Sequence, residues 1–226
     1  TRGAVTGGAT GDIDEKVYGA YFEVNGISEL FGRELRANAG LRYAYTDQKV
    51  VGPSQVGTTL VDLEARSKYG EFLPSLNLAL DIAPRLKLRF SASRALTRPD
   101  AGLLLPGVTF SDPSGQIASA GNPELQPYTS DNIDIGGEFY TSGIGYIGLA
   151  LFRKDIEGFT LTQQTQASFG SLNIPFASLQ TTQQNALNDR ARSLGVSVEN
   201  VPITVNRPIN LQNLRIEGIE VTWVQP

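Results

Sequence analysis

The chain has 226 residues, among them 10 Phe, 8 Tyr and 24 Gly, no Cys, His or Met, and a formal net charge of −4. Without Cys there is no disulfide framework and no thiolate metal site, and without His the commonest general base and the usual zinc or iron ligand are missing. The acidic balance lacks the basic footprint of a nucleic-acid binder. No run of about 18 apolar residues occurs, so no bilayer-crossing helix is expected, but a membrane strand needs only about 10 alternating residues.

The first stretch, Thr1–Gly11, lacks the apolar centre of a signal peptide and is flexible in composition, so residues 1–14 are expected to be flexible. The end, Gly218–Pro226, stops in or just after a strand-like run, so both ends read as cuts from a longer chain. Gly7, Gly8 and Gly11 lack the strand–turn–helix setting of a phosphate loop, and Asp12, Asp14 and Glu15 lack the glycine and distal glutamate of a calcium loop.

From there the dominant period is two, and seven strands are predicted. The first covers about Glu15–Val24, with Tyr18, Ala20, Phe22 and Val24 on one flank. Asn25-Gly26 is a turn signal, yet the better turn lies at Leu30–Arg33, where Gly32 supplies a positive φ. The second, Glu34–Val50, sets Leu35, Ala37, Ala39, Leu41, Tyr43 and Tyr45 against Glu34, Arg36, Asn38, Gly40, Arg42 and Ala44. The third, Lys68–Ile82, opposes Phe72, Leu76, Leu78 and Leu80 to Glu71, Ser75, Asn77 and Asp81. A tight Ala83-Pro84-Arg85 connection leads to the fourth, Leu86–Arg94, where Leu86, Leu88, Phe90 and Ala92 oppose Lys87, Arg89, Ser91 and Ser93. The fifth, Tyr128–Tyr140, sets Ile133, Ile135 and Phe139 against Asn132, Asp134 and Glu138, and Thr141–Gly145 turns the chain. The sixth, Tyr146–Ile156, begins apolar on both faces, so its facing stays open; the seventh, Arg215–Val224, sets Ile219, Val221 and Trp223 against Glu220 and Thr222.

Short connections near Gly32, Pro84 and Ser142 alternate with long ones at about Val51–Ser67, Thr97–Pro127 and Glu157–Leu214. In an up-and-down meander all short turns then share one edge and all long loops the other, as in outer-membrane barrels. Strands of 10 to 15 residues also exceed the soluble mode of about 5 or 6. The fold class is therefore all-β, an antiparallel up-and-down meander forming part of a transmembrane barrel, with one partial domain over 1–226. A helix is expected inside the last loop, with Leu179, Gln183, Ala186, Leu187, Ala191 and Leu194 at helical spacing, Thr181 or Thr182 at its start and Gly195 at its end.

A chain of phrases in this order resembles the barrel of TonB-dependent outer-membrane receptors. Gly40, Arg42 and Thr46 fill a G-x-R-x-x-x-T strand end; Leu73, Pro74, Ser75 and Asn77 fill L-P-S-x-N; Ser93, Arg94, Arg98 and Pro99 fill S-R-x-x-x-R-P. Gly121, Asn122, Pro123, Leu125 and Pro127 fill G-N-P-x-L-x-P; Phe152, Lys154, Asp155 and Ile156 fill F-x-K-D-I; Gly218 and Glu220 fill G-x-E. The resemblance covers most of Val17–Val224. It implies a segment of a 22-stranded barrel with long extracellular loops, in the bacterial outer membrane, whose plug domain, TonB-contacting N-terminal part and remaining strands lie outside this sequence. It implies energised import of a scarce small ligand, a carbohydrate or an iron complex. The partners so implied are membrane lipid, the receptor's own plug and the periplasmic TonB protein; no cofactor, metal, nucleic acid or catalysis is implied.

Arg94, Arg98 and Asp100 sit where the fourth strand leaves the membrane, and Asn122 and Glu124 sit in a proline-braced loop. Arg42 and Asn77 are lumen residues, and all seven are ligand-binding candidates. The bland alternatives are an inward charge network for the arginines and turn chemistry for the loop. Arg36, Asn38, Lys87 and Arg89 are expected to line the lumen beside them. The tyrosines at 18, 21, 43, 45, 69, 128 and 140 and Trp223 lie near strand ends or on outward faces, as an interfacial girdle requires, although cross-strand packing in a soluble sheet uses the same residues. The polar stretch Gln163–Asn213 has side chains able to hydrogen-bond sugar hydroxyls from a flexible platform. Two rival readings are a soluble β-sandwich binding module, whose apolar faces would meet each other, and a carbohydrate-active enzyme, for which no converging pair of carboxylates is legible.

Overall fold

The computed structural model describes residues 11–56, 59–110, 112–141, 145–211 and 213–225. In chain order the elements are β1 (Asp12–Leu30), β2 (Arg33–Val56), β3 (Thr59–Ala83), β4 (Leu86–Thr97) and the one-turn α1 (Ala101–Leu104). They continue with β5 (Val108–Phe110), β6 (Ile117–Ala120), β7 (Tyr128–Tyr140), β8 (Tyr146–Glu157), β9 (Thr160–Ser168), α2 (Thr181–Leu194), β10 (Pro202–Asn210) and β11 (Leu214–Val224). Seven of the strands form one antiparallel meander in the order β1-β2-β3-β4-β7-β8-β11. These are the seven strands expected from the alternation. The sheet does not close on itself.

The first hairpin turns where Gly32 was expected to turn it. Phe31 and Gly32 both have positive φ, 54° and 69°, the signature of a two-residue hairpin turn whose twist suits the strands. Asn25 and Gly26 stay inside the ladder, opposite Asn38 and Ala37. The turn expected at Ser142 lies outside the described residues, as does the flexible start up to residue 10. Asp12–Asp14 are already paired in β1.

Register settles which residues share a flank. One flank carries Phe22, Leu41 and Pro74 in one row, Leu76 and Ala92 in another, and Ile135, Leu151 and Ile219 further round. The ambiguous sixth strand is thereby resolved: Ile147, Leu149 and Leu151 of β8 face the same way as Phe139 and Ile135. This oily flank is bare, with Phe22 70%, Val221 72% and Trp223 73% exposed. Among the described residues nothing packs on it, so the sandwich alternative, which requires a dry interior between two apolar faces, is not the architecture. A bare apolar sheet face of this extent needs an apolar solvent.

The other flank is polar below and covered above. Ala44, Thr46, Gln48 and Val50 alternate along β2 and are all buried, Thr46 fully. What covers them is the segment after β4: Leu104 and Leu125 cluster with Val50, with Ile13 and Leu105 packed alongside.

Two of the expected long loops are corrected. Residues 51–67 are not a loop: β2 and β3 stay paired past the Val51–Glu64 row to Val56 opposite Thr59. Gly52 and Pro53 resemble a loop in sequence, yet both stay in the ladder, opposite Leu63 and Asp62. Residues 157–214 are not a flexible platform either. With 97–127 they build a second sheet, β5-β6-β10-β9, in which β10 pairs in parallel with β6 and antiparallel with β9. Pro202 and Pro208 argue against a central strand in sequence. β6 pairs only with Thr204–Asn206, so neither proline removes a ladder donor. Helix α2 lies where its periodicity placed it, but Gln180, not a threonine, caps it: its side chain and that of Gln183 form a reciprocal capping box. The helix ends at Gly195. Leu187 and Ala191 of α2 bury against Ala118, Ala120, Ile203, Val205 and Phe169 in the main apolar core of the chain.

Candidate functional site: the polar flank and its cap

The lower polar flank is a hydrogen-bonded floor. Asn38 Nδ2 donates to Glu23 Oε1 at 2.7 Å and to Asn25 Oδ1 at 2.6 Å, and Asn77 Nδ2 donates to Asn38 Oδ1 at 3.2 Å. Three adjacent strands are thus laced by one chain of amides. Further round, Arg89 Nε donates to Glu138 Oε1 at 2.7 Å, Tyr140 OH donates to Glu138 Oε2 at 2.6 Å, and Ser91 Oγ donates to Asp134 Oδ2 at 3.1 Å. Lys87 pairs with Asp81 and Arg36 with Glu34. The small residues Gly136, Gly148 and Ala150 hollow this floor into an open groove of about 370 Å³, joined through Asn77 and Arg89 to a second of about 540 Å³ beside Asn25, Arg36 and Asn38. Register and contacts therefore place Arg36, Asn38, Asn77, Lys87 and Arg89 on this flank, as alternation predicts.

The upper flank is closed by the cap, and Arg98 is its anchor. Its Nε and Nη2 donate to Thr46 Oγ1 at 3.2 and 3.0 Å, and Nε lies 3.2 Å from Glu15 Oε1. Glu15 thus points inward while Asp12 and Asp14 occupy the outer flank, so these three acids do not converge. Within the cap, Asn122 ties the 121–127 run to β10: its Nδ2 donates to the carbonyl of Pro208 at 3.0 Å and its Oδ1 accepts from the Glu124 amide at 3.0 Å. Asn210 completes the joint, accepting from the Gln126 amide and donating to the Gln126 and Gly158 carbonyls, each at 2.8 Å. A methyl group at Gly121 would lie 1.8 Å from the Leu105 carbonyl oxygen, so only glycine fits there.

The remaining candidates divide. Arg94 shares the outer flank with Phe90 and Ala92, above the apolar rows. Its Nη2 donates to Thr129 Oγ1 at 3.2 Å, with Asp131 and Glu157 at 3.8 and 3.9 Å. It faces away from the lumen. Asp100 offers its backbone carbonyl to Leu103 and is exposed, as is Glu124 elsewhere in the cap. Arg42 is exposed opposite Tyr21, one row below the buried Ala44, where the open lumen meets the underside of the cap. Tyr21 had been grouped with the girdle; register puts it, with Tyr69, Tyr128 and Tyr140, on the polar flank. Tyr18, Tyr43 and Tyr45 do form an outward aromatic row, with Tyr43 4.8 Å from Phe72 between ring centroids.

Within the cap, burial pushes the Asp112 carboxyl up. Hydrogen bonds from Ser114 and from the backbone N–H groups of Gln116 and Ile117 outweigh it and hold the group below the usual carboxylate range. Above the aromatic row, hydrogen bonds from Lys49 and Arg66 likewise hold Glu64 low.

A sheet of long antiparallel strands, bare and apolar outside, polar inside and capped at one end, is the wall of a transmembrane β-barrel. The family model "TonB dependent receptor-like, beta-barrel" matches residues 2–224, and the chain belongs to that family, which is located in the bacterial outer membrane. Among solved structures it is similar to the Serratia marcescens hemophore receptor HasR in complex with its hemophore HasA and heme, at 15% identity and a TM-score of 0.63, over 99% of this chain and 33% of that one. It is also similar to a mutant of the Pseudomonas aeruginosa ferric enterobactin receptor PfeA in complex with enterobactin, at 18% identity and a TM-score of 0.51, over 95% of this chain and 34% of that one. The chain spans about a third of the length of these structures. Among curated proteins none matches it.

Proposed function

We propose that this chain supplies part of the wall, the extracellular loops and the mouth cap of a receptor that imports a scarce ligand through the outer membrane, and that it does no covalent chemistry. The ligand is read as an anionic iron chelate or heme, in keeping with the ligands named for HasR and PfeA. The single observation that carries this reading is the position of Arg42 and Tyr21, exposed on the lumen flank just under the cap. An uncommitted guanidinium beside an exposed phenol suits an anionic, partly aromatic ligand. Movement of the ligand past this point would need the plug and the TonB protein that the family implies. The carbohydrate alternative has the neutral Gln and Thr side chains of the cap in its favour.

The test uses the full-length receptor in detergent, titrated separately with ferric enterobactin, heme and a neutral maltooligosaccharide while tyrosine and tryptophan fluorescence is read. Arg42→Ala is expected to weaken binding of the anionic ligand about tenfold or more, the loss of one charge-assisted contact. Binding of the oligosaccharide alone, unaffected by Arg42→Ala, would overturn the reading.

A further inference from the structure

The outer flank continues past its aromatic row. Register sets the rows beyond Tyr18, Tyr45 and Gly70. Lys16, Asp47 and Lys68 come first, then Asp14, Lys49 and Arg66, then Asp12, Val51 and Glu64, and last Pro53 and Asp62. The charges are sorted by height. The two rows nearest the aromatic residues hold Lys16, Lys49, Arg66 and Lys68 against Asp14 and Asp47. The two rows beyond hold Asp12, Glu64 and Asp62 and no cation. Two residues of strand rise about 6.6 Å, or about 5 Å along the membrane normal at a tilt near 40°, so the cationic rows stand about 5 and 10 Å above the aromatic row. The headgroup layer of one leaflet is about 5–8 Å deep, and long basic side chains bend toward it from either row.

The cations are held in place with donors to spare. Lys49 Nζ lies 2.8 Å from Glu64 Oε2, Arg66 Nε donates to Glu64 Oε1 at 2.8 Å, and Lys68 Nζ lies 2.9 Å from Asp47 Oδ2. Arg66 donates through Nε alone among the described residues, which leaves both Nη groups of its fork free. Each ammonium also has donors beyond the one its acid takes. All three residues are exposed. Lys16, 3.8 Å from Asp14, adds a fourth cation on β1. A guanidinium fork between two ammonium groups suits a phosphate.

We propose that Lys49, Arg66 and Lys68, with Lys16, seat the phosphate of an anionic lipid in the outer leaflet of the membrane. The occupant follows from the flank. These rows continue the apolar face that meets lipid tails, so the lipid covering the aromatic row brings its headgroup to them. The rest of the receptor has other places: further strands join the sheet beside β1 and β11, and a plug fills the opposite flank. Lys49, Arg66 and Lys68 stand on β2 and β3, inside the sheet. Phosphate is selected because the surplus of cations lies toward the membrane and the acids away from it. Further round the same flank the balance reverses. On β4, β7, β8 and β11, Asp131, Asp155, Glu157 and Glu217 outnumber Arg94, Arg153 and Arg215, and Arg153 and Arg215 both donate to Asp155, at 2.7 and 2.6 Å. The proposal rests on the outer flank facing lipid and not on the identity of the imported ligand, so failure at Arg42 leaves it standing.

The test offers the full-length receptor, in non-ionic detergent, bisphosphorylated lipid A or the same lipid stripped of its phosphates, and counts retained lipid by native mass spectrometry. The phosphorylated lipid is expected to bind about tenfold or more tightly than the stripped one. Lys49→Gln, Arg66→Gln and Lys68→Gln together should bring the two lipids level, with heat-modifiable mobility confirming that the variant folds. Arg153→Gln with Arg215→Gln should leave the preference as it was. Four results would overturn the proposal. The first is equal binding of the two lipids by the unaltered receptor, or none, meaning that the receptor covers these rows itself. The second is an undiminished preference in the folded triple variant. The third is an equal loss in the Arg153 and Arg215 variant, meaning that total charge decides. The fourth is complete displacement of the lipid by millimolar inorganic phosphate, meaning that a free anion is the occupant.

Discussion

Leu76→Arg compared with Asn77→Arg tests the facing of the wall at its most sensitive depth. On β2 the outward row runs from Leu35 to Tyr45, paired with Leu80 through Gly70 on β3. Ten residue steps at about 3.3 Å give about 33 Å along the strand, or about 25 Å along the membrane normal at a tilt near 40°, which is the height of the apolar band in such barrels. Leu76 lies four steps from Leu80, about 10 Å above the lower edge of that band and within about 3 Å of its middle. Its cross-strand neighbours are Ala39 and Ala92, which offer an arginine no partner. An arginine there is expected to cost about 2–4 kcal/mol, or about 30- to 1,000-fold in the folding equilibrium. Asn77, one residue on, faces the lumen amides and Arg89 side, where water and acids are at hand, so Asn77→Arg should cost well under 1 kcal/mol. The assay is urea-dependent folding of the full-length receptor into phospholipid vesicles, read by heat-modifiable mobility. Equal destabilisation by the two arginines would refute the assignment of lipid and lumen flanks.

Arg98→Ala should loosen the cap by about 1–2 kcal/mol, since it removes a charged donor from Thr46 and the partner of Glu15 at a half-buried site; the readout is faster proteolysis within 97–127, and Arg98→Lys should restore only part of the protection because it lacks the fork. Gly121→Ala should cost about 2–3 kcal/mol by driving a methyl into the Leu105 carbonyl, lowering the midpoint of cap unfolding and leaving the folding of the wall unchanged. Asp112 is held low in the folded cap, so its contribution is full above the unfolded value near pH 4 and is lost as pH falls through the lower folded value. Exchange of the Gln116 and Ile117 amides, corrected for intrinsic rates, should accelerate below about pH 4, and Asp112→Asn should abolish that step.

The wall was legible because its cause is local. Tyr43, Tyr45, Leu41 and Arg42 alternate, and any pairing that keeps them in a sheet sorts them onto two flanks. The cap was not legible because its causes are remote. β9 is Thr and Gln on both faces, with no alternation to read, and becomes a strand only because β10 offers it a partner. β10 carries two prolines that a local rule counts against it, and only the shortness of β6 makes them harmless. α2 was readable from Leu187, Ala191 and Leu194, whereas its cap was misplaced because Gln180 and Gln183 cap each other reciprocally where a threonine was expected. Among the site candidates, Asn77 and Arg42 followed from alternation. Arg94 and Arg98 look equivalent in sequence, yet they lie on opposite flanks, because Arg98 follows the end of β4 and leaves the period-two rule behind.

Two solvents explain why one chain carries two opposite patterns of burial. The wall has almost no core of its own: its apolar side chains are stable where they stand only against lipid, and its polar row is stable against water. The cap stands beyond the aromatic row of Tyr18, Tyr43 and Tyr45, in water on its outer side, so it must bury a core in the ordinary way, around Leu187, Ile203 and Phe169. The joint between them is then forced to be polar and specific. It can use neither lipid nor a large apolar interface, and it relies on Arg98 with Glu15 and Thr46 and on the small Val50–Leu104–Leu125 cluster. Such a joint is strong enough to hold the cap in one place and has few contacts to break. The joint leaves Arg42 and Tyr21 exposed on the polar flank beside it.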